Sequence, residues 1–266
     1  MPRSDFKEIA IIGLGLIGGS FYKAAQAAGY NVKGIDKNDP VALSDSDLVI
    51  IALHPAVAID WLHEHARDLK KGAIVVDACG VKSAVLAGVA KALNDDFTFI
   101  GGHPMAGKEV SGFENSDKDL FKGASMILTP FPKDQNTAES LKPFFFDLCF
   151  GSVVMTTPED HDRMIAYTSQ LCHLVSSAYL RDELALKRSG FSAGSFRDLS
   201  RVGASDPELW SELFLLNKTE LLPVLERMIK RLEDLKTAIV NNDRESLIAQ
   251  LAEGKVIKEK LQGEEK

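Results

Sequence analysis

His103 lies in Gly101-Gly102-His103-Pro104-Met105-Ala106-Gly107, directly after the β-branched and aromatic run Phe97-Thr98-Phe99-Ile100. That run reads as a buried strand, so the imidazole is expected just beyond its carboxyl end, the ligand edge of an open parallel sheet. Pro104 cannot continue the ladder, and the glycines let the backbone turn tightly and let another molecule come close. The pattern suits a histidine aimed at a ligand; the alternative, a histidine hydrogen-bonded in a loop, stays open, and the other motifs that accompany His103 weigh against it.

A second chemical pattern stands near the N-terminus. Ile9-Ala10-Ile11-Ile12 is a short apolar strand, followed by Gly13-Leu14-Gly15-Leu16-Ile17-Gly18, a helical run from Ser20 to Ala28 closed by Gly29, and a second strand ending at Asp36. In this order Gly13 makes the tight turn, Gly15 admits a pyrophosphate to the backbone, and Gly18 lets helix pack on strand. The helix then offers the phosphates its free N–H groups and positive dipole end. Asp36, eighteen residues after Gly18, accepts ribose hydroxyls and repels a 2′-phosphate. NAD is therefore favoured over NADP, with Lys37 partly offsetting the repulsion.

These side chains need a scaffold. Leu48 to Leu53 is the next strand, with only eleven residues between it and Asp36, and eleven extended residues reach about 36 Å. The usual second crossover is thus expected to be trimmed to a loop, with the outermost strand missing. Strands over 73–77, 125–129 and 152–156 complete the sheet, with helices over 57–69 and 84–93 and near 137–149. The turns after the third and fourth strands reach the same edge, so the expected cofactor contacts are Gly13, Gly15, Leu16, Ile17, Gly18, Asp36, Leu53, His54 and Cys79. Cys79 reads as a small cleft-lining residue, although a helix N-terminus can activate a thiol. His63 and His65, two apart, fall on different sides of a helix and read as surface residues, and no metal site is expected.

At Thr157-Pro158-Glu159-Asp160 the pattern changes, with an N-cap threonine, a proline in the first turn and two acids starting a helix. This helix is expected to run to about Lys187, with His161, Ser169, His173 and Ser177 on one face and Met164, Ile165, Leu171, Val175 and Tyr179 on the other. Its polar stripe is uncharged, which is unusual for a solvated face. A loop over 191–206 carries Ser195, Arg197, Asp198, Arg201 and Ser205, and helices through Leu216, over 221–239 and over 243–261 follow, with a tail from Gln262 expected to fray. The surplus of Leu209, Trp210, Leu213, Phe214, Leu216, Leu221, Leu222 and Leu225 suggests a homodimer.

The 266 residues, 45% hydrophobic and 26% charged, suit a globular protein, and a net charge of −7 argues against a nucleic-acid partner. No run approaches a membrane span, and the charged start and short first apolar run do not resemble a secretory signal. Cys79, Cys149 and Cys172, odd in number and without metal spacing, read as reduced thiols of a cytoplasmic protein.

Gly-Gly-His-Pro-Met-Ala-Gly, Thr-Pro-Glu-Asp-His-Asp, Thr-Ser-Gln-Leu-Cys-His and Phe-Arg-Asp-Leu-Ser-Arg-Val-Gly-Ala-Ser-Asp-Pro, in this order behind a dinucleotide motif, resemble the prephenate and arogenate dehydrogenases of tyrosine biosynthesis. The resemblance implies an α/β Rossmann-type domain over 1–156, which the short connection after Asp36 leaves trimmed and lacking the usual second crossover, and an all-α domain over 157–266 that binds substrate and dimerises. By position, His103 matches the histidine that hydrogen-bonds the substrate ring hydroxyl, and Arg201 the arginine that holds a substrate carboxylate. His173 and Ser169 match polar residues lining the substrate site, while Glu109 and Asp198 match acids of an ionic network near the arginine. Departures are Gly80 where the family often has serine, Lys108 for threonine, Cys172 for proline, and the trimmed loop after Asp36.

The implied reaction is NAD-dependent oxidative decarboxylation of prephenate, or alternatively of arogenate, with neutral His103 accepting the hydroxyl proton. Two rivals remain open. Another NAD-dependent hydroxy-acid dehydrogenase would generally use a lysine on the first long C-terminal helix, where His173 and Ser169 stand. A non-enzymatic NAD-binding protein would leave the polar stripe and Arg201 without a purpose.

Overall fold

The computed structural model describes residues 4–264. Its contacts divide the chain into two compact units, Met1–Lys218 and Thr219–Lys266. The first is built on a seven-stranded sheet of order β2-β1-β3-β4-β5-β6-β7, with β1 Glu8–Ile12, β2 Asn31–Ile35, β3 Leu48–Ile51, β4 Ala73–Asp77, β5 Phe97–Pro104, β6 Ser125–Pro130 and β7 Ser152–Met155. The near-continuous apolar runs of β1 and β3 fit this arrangement: strands covered on both faces bury every side chain, and all four residues of β3 are buried. Ile9, Ile11 and Ile50 serve one core with Phe21, Phe121 and Phe144, while Ala10, Ile12, Val49 and Ile51 serve the other with Leu62, Val81 and Val85.

From β1 the chain crosses outward to β2 and then back past β1 to β3, so the strand order reverses at β1. Ligands of such sheets bind at that reversal, beyond the carboxyl ends of the strands. The return from β2 contains turns alone, with Leu43 plugged into the core and the Asp47 carboxylate accepting the backbone N–H groups of Lys7 at 2.8 Å and Glu8 at 3.1 Å. The trimmed crossover stands as read, and β2 is a sheet edge.

Several boundaries differ. The strand before His103 does not stop at Ile100. It leaves parallel register with β4 there and continues antiparallel to β6, pairing His103 with Ile127. His103 is therefore inside a strand, yet still beyond the carboxyl end of neighbouring β4. Around the sheet pack α1 Leu16–Ala28, α2 Pro55–His65 and α3 Ser83–Val89, then α4 Gln135–Ser140 and α5 Lys142–Asp147 in place of one helix. Pro143 in the first turn of α5 has no N–H to continue α4.

The long helix expected to reach Lys187 is α6 Pro158–Ile165, a π turn over Ala166–Gln170, and α7 Leu171–Leu180. Its two faces are not sorted as expected: Ile165 and Leu171 are buried, whereas Met164, Tyr179 and Ser177 are exposed. The loop over 191–206 contains a further helix, α8 Gly194–Ser200. Helix α9 Pro207–Leu216 follows, with the Asp206 carboxylate accepting the N–H of Leu209 at 2.9 Å.

The second unit comprises the rest of α10 Lys218–Val240 together with α11 Arg244–Glu264. The last helix continues through the expected fraying point at Gln262, and Glu265 and Lys266 lie outside the described residues. Leu222, Ile229, Leu232, Ile248, Leu251 and Ile257 are about half exposed on these two helices. No described helix is long and apolar enough to cross a membrane.

Candidate active site

The carboxyl edge of the sheet is shaped by glycine. Gly13 sits at φ +81°, and a Cβ there would lie 2.6 Å from Leu53 Cδ2 and 2.8 Å from the Ala52 carbonyl oxygen. A Cβ at Gly18 would run into the Gly13 carbonyl, so helix α1 approaches β1 as closely as backbone allows. Gly15, the N-cap of α1, has nothing within 4 Å of its would-be Cβ. Open space over a helix N-terminus whose first N–H groups have no intrahelical partner fits a dinucleotide pyrophosphate.

Asp36 is exposed just past β2, one carboxylate oxygen accepting the Lys37 N–H at 3.0 Å. Leu53 lies against the glycine turn, and His54 is the exposed N-cap of α2. Cys79 is buried in the core, its thiol donating to the Leu53 carbonyl at 3.5 Å. Burial, reinforced by the nearby Asp77 carboxylate, pushes that thiol well above its usual range, so it is a packed thiol and not a nucleophile. His63 reaches the Gly88 carbonyl and His65 the Asp68 carboxylate, each apart from the edge.

His103 is reached by a strand that only Gly101-Gly102 allow. A Cβ at Gly101 would strike the Thr129 hydroxyl, and one at Gly102 the Asp77 carbonyl. The Asp77 side chain accepts the Gly102 N–H at 3.0 Å and the Cys79 N–H at 2.9 Å, and it pairs with fully buried Lys82, whose ammonium also donates to the Gly102 carbonyl. Helix α6 comes in from the other side. His103 Nδ1 lies 2.9 Å from His161 Nε2, and His161 Nδ1 lies 2.8 Å from Asp162 Oδ1. Asp162 in turn accepts the backbone N–H groups of Lys82 and Ser83, each at 2.8 Å.

Burial, then the neighbouring His161 and Lys82, hold His103 well below the ordinary imidazole range, so the ring is neutral. Its Nε2 faces Gly80, where a Cβ would stand 3.9 Å away.

The arginine end is built differently. Arg201 Nη1 donates to Glu109 Oε1 at 2.8 Å, with side chains 66% and 38% exposed, so this pair sits in solvent. His173 Nδ1 lies 2.6 Å from Ser205 Oγ, whose own proton goes to the Val202 carbonyl at 2.7 Å, and the imidazole stacks on Trp210 at 3.4 Å between centroids. Ser169 is half-buried in the π turn. Asp198 is not drawn in: it is exposed, with Arg197 at 3.9 Å as its ion-pair neighbour.

Helix α9 links the two ends. Trp210 stacks on His173, and Leu213, one turn along the same face, lies 3.4 Å from where a Gly80 Cβ would be, beside His103. The π turn supplies the matching geometry on the other helix. At α-helical pitch, twelve residues would leave His173 about 120° from His161, and the one extra residue of a π turn reduces this to about 20°. Buried Gln170 in that turn accepts from Asn217 Nδ2 at 2.8 Å, and Asn217 also donates to the Asp162 carbonyl.

His161, Asp162 and Lys82 were not among the residues singled out as a site from the sequence. The available signal was the uncharged stripe containing His161; nothing local marks Lys82 as buried. Lys108 is near Asp117 at 3.6 Å, and Cys172 is exposed.

Residues 15–154 match the nucleotide-binding domain and residues 157–253 the dimerization domain of prephenate dehydrogenase. A cyclohexadienyl dehydrogenase from Zymomonas mobilis is 31% identical, with 93% of this chain and 94% of that protein covered. Prephenate dehydrogenase from Aquifex aeolicus, solved in complex with hydroxyphenyl propionate and NAD+, superposes with a TM-score of 0.82 at 27% identity over 97% of this chain and 99% of its own. The arogenate dehydrogenase of Synechocystis gives 0.79 at 26% identity, covering 96% and 99%. A mixed sheet with a glycine-shaped edge, joined to a helix that brings buried His161 to His103 there, thus coincides with matches along nearly the whole chain, and the chain belongs to the prephenate dehydrogenase family.

Proposed function

We propose that this protein catalyses the NAD-dependent oxidative decarboxylation of prephenate to 4-hydroxyphenylpyruvate, with arogenate as the alternative substrate. The observation that carries the reading is the state of His103: a neutral imidazole, tied at Nδ1 and open at Nε2, at the carboxyl edge next to the glycine turn. Gly13, Gly15, Leu16, Ile17, Gly18, Asp36, Leu53, His54 and the backbone of Cys79 hold the dinucleotide, and Asp36 selects NAD. When bound, NAD+ accepts the two electrons and the hydrogen from the ring carbon that carries the hydroxyl.

His103 Nε2 takes the proton of that hydroxyl as the carbon–oxygen bond becomes carbonyl-like. Loss of carbon dioxide returns the bonding pair of the broken carbon–carbon bond to the ring, which becomes a phenolate. The proton on His103 then goes back to the phenolate oxygen, so the residue ends as it began. Arg201 binds a substrate carboxylate with its planar fork, next to Glu109. His173 and Ser169 line the same substrate site, and Asp198 is assigned no contact.

In this reading residues 1–156 bind the cofactor and residues 157–266 bind substrate and dimerise, the exposed leucines and isoleucines of α10 and α11 being covered by a second copy. The enzyme works in the cytoplasm, where its three free cysteines stay reduced. The test is NADH formation at 340 nm with prephenate and with arogenate, each with NAD+ and NADP+. Turnover of prephenate with NAD+ is expected. No turnover of either substrate would end the proposal, and turnover of arogenate alone would replace prephenate in it.

A further inference from the structure

We propose that His161 and Asp162 are positioning residues for His103, fixing its proton on Nδ1 so that Nε2 is left as the base. The inference rests on the reading of His103 as that base. It starts from the chemistry of the far end of the chain of contacts. An ionised carboxylate accepts and does not donate, so the proton shared between Asp162 Oδ1 and His161 at 2.8 Å belongs to His161 Nδ1. His161 is neutral, because burial lowers its proton affinity further than its bond to Asp162 restores it. A neutral imidazole protonated at Nδ1 has a lone pair at Nε2, and that lone pair faces His103 Nδ1 at 2.9 Å. His103 must then donate from Nδ1, and its second nitrogen is unprotonated.

The carboxylate that sets this order is itself fixed. Burial alone would raise the Asp162 pKa, but hydrogen bonds from His161 and from the N–H groups of Ser83 and Lys82 outweigh it and keep the group ionised. His161 and Asp162 are 2% and 3% exposed, so water does not compete for either bond. The groups facing His103 are His161 and Asp162 from α6 and Lys82 from the turn into α3, and the Lys82 charge is met by Asp77. When His103 takes a proton, its Nδ1–H still has the His161 acceptor, with the Asp162 charge behind it. This is the way an acid orients a catalytic imidazole in hydrolase triads, with one more imidazole in the line.

The experiment uses the full-length enzyme labelled with 15N-histidine. The chain has six histidines, and the spectrum of His103→Asn identifies the His103 signals by their loss. The wild-type ring is expected as the Nδ1–H tautomer, and an Nε2–H tautomer would overturn the proposal without any further variant. His161→Leu removes the acceptor and is expected to give a mixture of tautomers, with kcat lowered about 10²-fold and KM within about twofold. His161→Gln carries an amide oxygen to about the place of Nε2 and is expected to restore the Nδ1–H signal and most of kcat. Wild-type kcat and an unchanged tautomer in His161→Leu would overturn the inference. Wild-type kcat in His103→Asn would instead remove the base assignment, while leaving the tautomer result to be judged by itself.

Discussion

Two ion pairs flank the site, and they differ in almost everything except charge. Lys82 and Asp77 are 0% and 1% exposed and bind the backbone of the strand that carries His103, whereas Arg201 and Glu109 lie largely in solvent. Desolvated charges are costly to leave alone, so the inner pair must stay intact and can serve as a fixed anchor. Exposed charges are screened and cheap to separate, so the outer pair can exchange a protein carboxylate for a substrate carboxylate. In the proposed mechanism the base stands on the rigid side and the substrate anchor on the exchangeable side.

The largest effect is expected at the rigid side. His103→Asn should lower kcat by roughly 10² to 10⁴ with little change in KM, measured by steady-state NADH formation. An equal kcat would take His103 out of the mechanism. The same ring fixes the acid limb of the pH profile. Because burial and then its neighbours His161 and Lys82 lower its pKa, the neutral base persists to lower pH, and kcat/KM should break below the ordinary imidazole value of about 6.5. A break at or above that value would mean that His103 is not held as the structure has it.

Next comes Lys82→Met, which strands the Asp77 carboxylate in the core. The loss should be about 3–5 kcal/mol of stability, read from the urea midpoint of unfolding. A loss under about 1 kcal/mol would show that the inner pair is no anchor.

The difference between the two sides also explains what was legible in the sequence. The glycine turn declared itself because each of its demands is local: a positive φ at Gly13 and backbone contact at Gly18. The trimmed crossover followed from chain length alone. His103 could be placed at the sheet edge, but its strand runs four residues further than Ile100, because pairing with antiparallel β6 is a tertiary event. The contact of His103 with His161 spans 58 positions and depends on α6 packing against the sheet edge. Lys82 reads as a surface lysine until Asp77 and the Gly102 carbonyl are folded around it. Where a loop was expected, α8 forms instead and presents Asp198 to solvent beside Arg197.

On the exchangeable side, Arg201→Lys keeps the charge and loses the planar two-pronged donor. KM for prephenate should rise about tenfold, with kcat changed less. An unchanged KM would show that the guanidinium does not hold a substrate carboxylate.

The smallest effect is the sharpest test of the contrast. Glu109→Gln removes the partner of Arg201 while leaving an oxygen able to accept the same hydrogen bond, and the guanidinium regains water as it loses the carboxylate. Stability should therefore change by at most about 1 kcal/mol, and the difference from wild type should shrink in about 1 M salt, where charges more than about 3 Å apart are screened. The measurement is the pair of urea midpoints for variant and wild type at low and high salt. A salt-independent loss comparable to that of Lys82→Met would mean that the outer pair is buried in the working enzyme, and the division between a fixed and an exchangeable side would collapse.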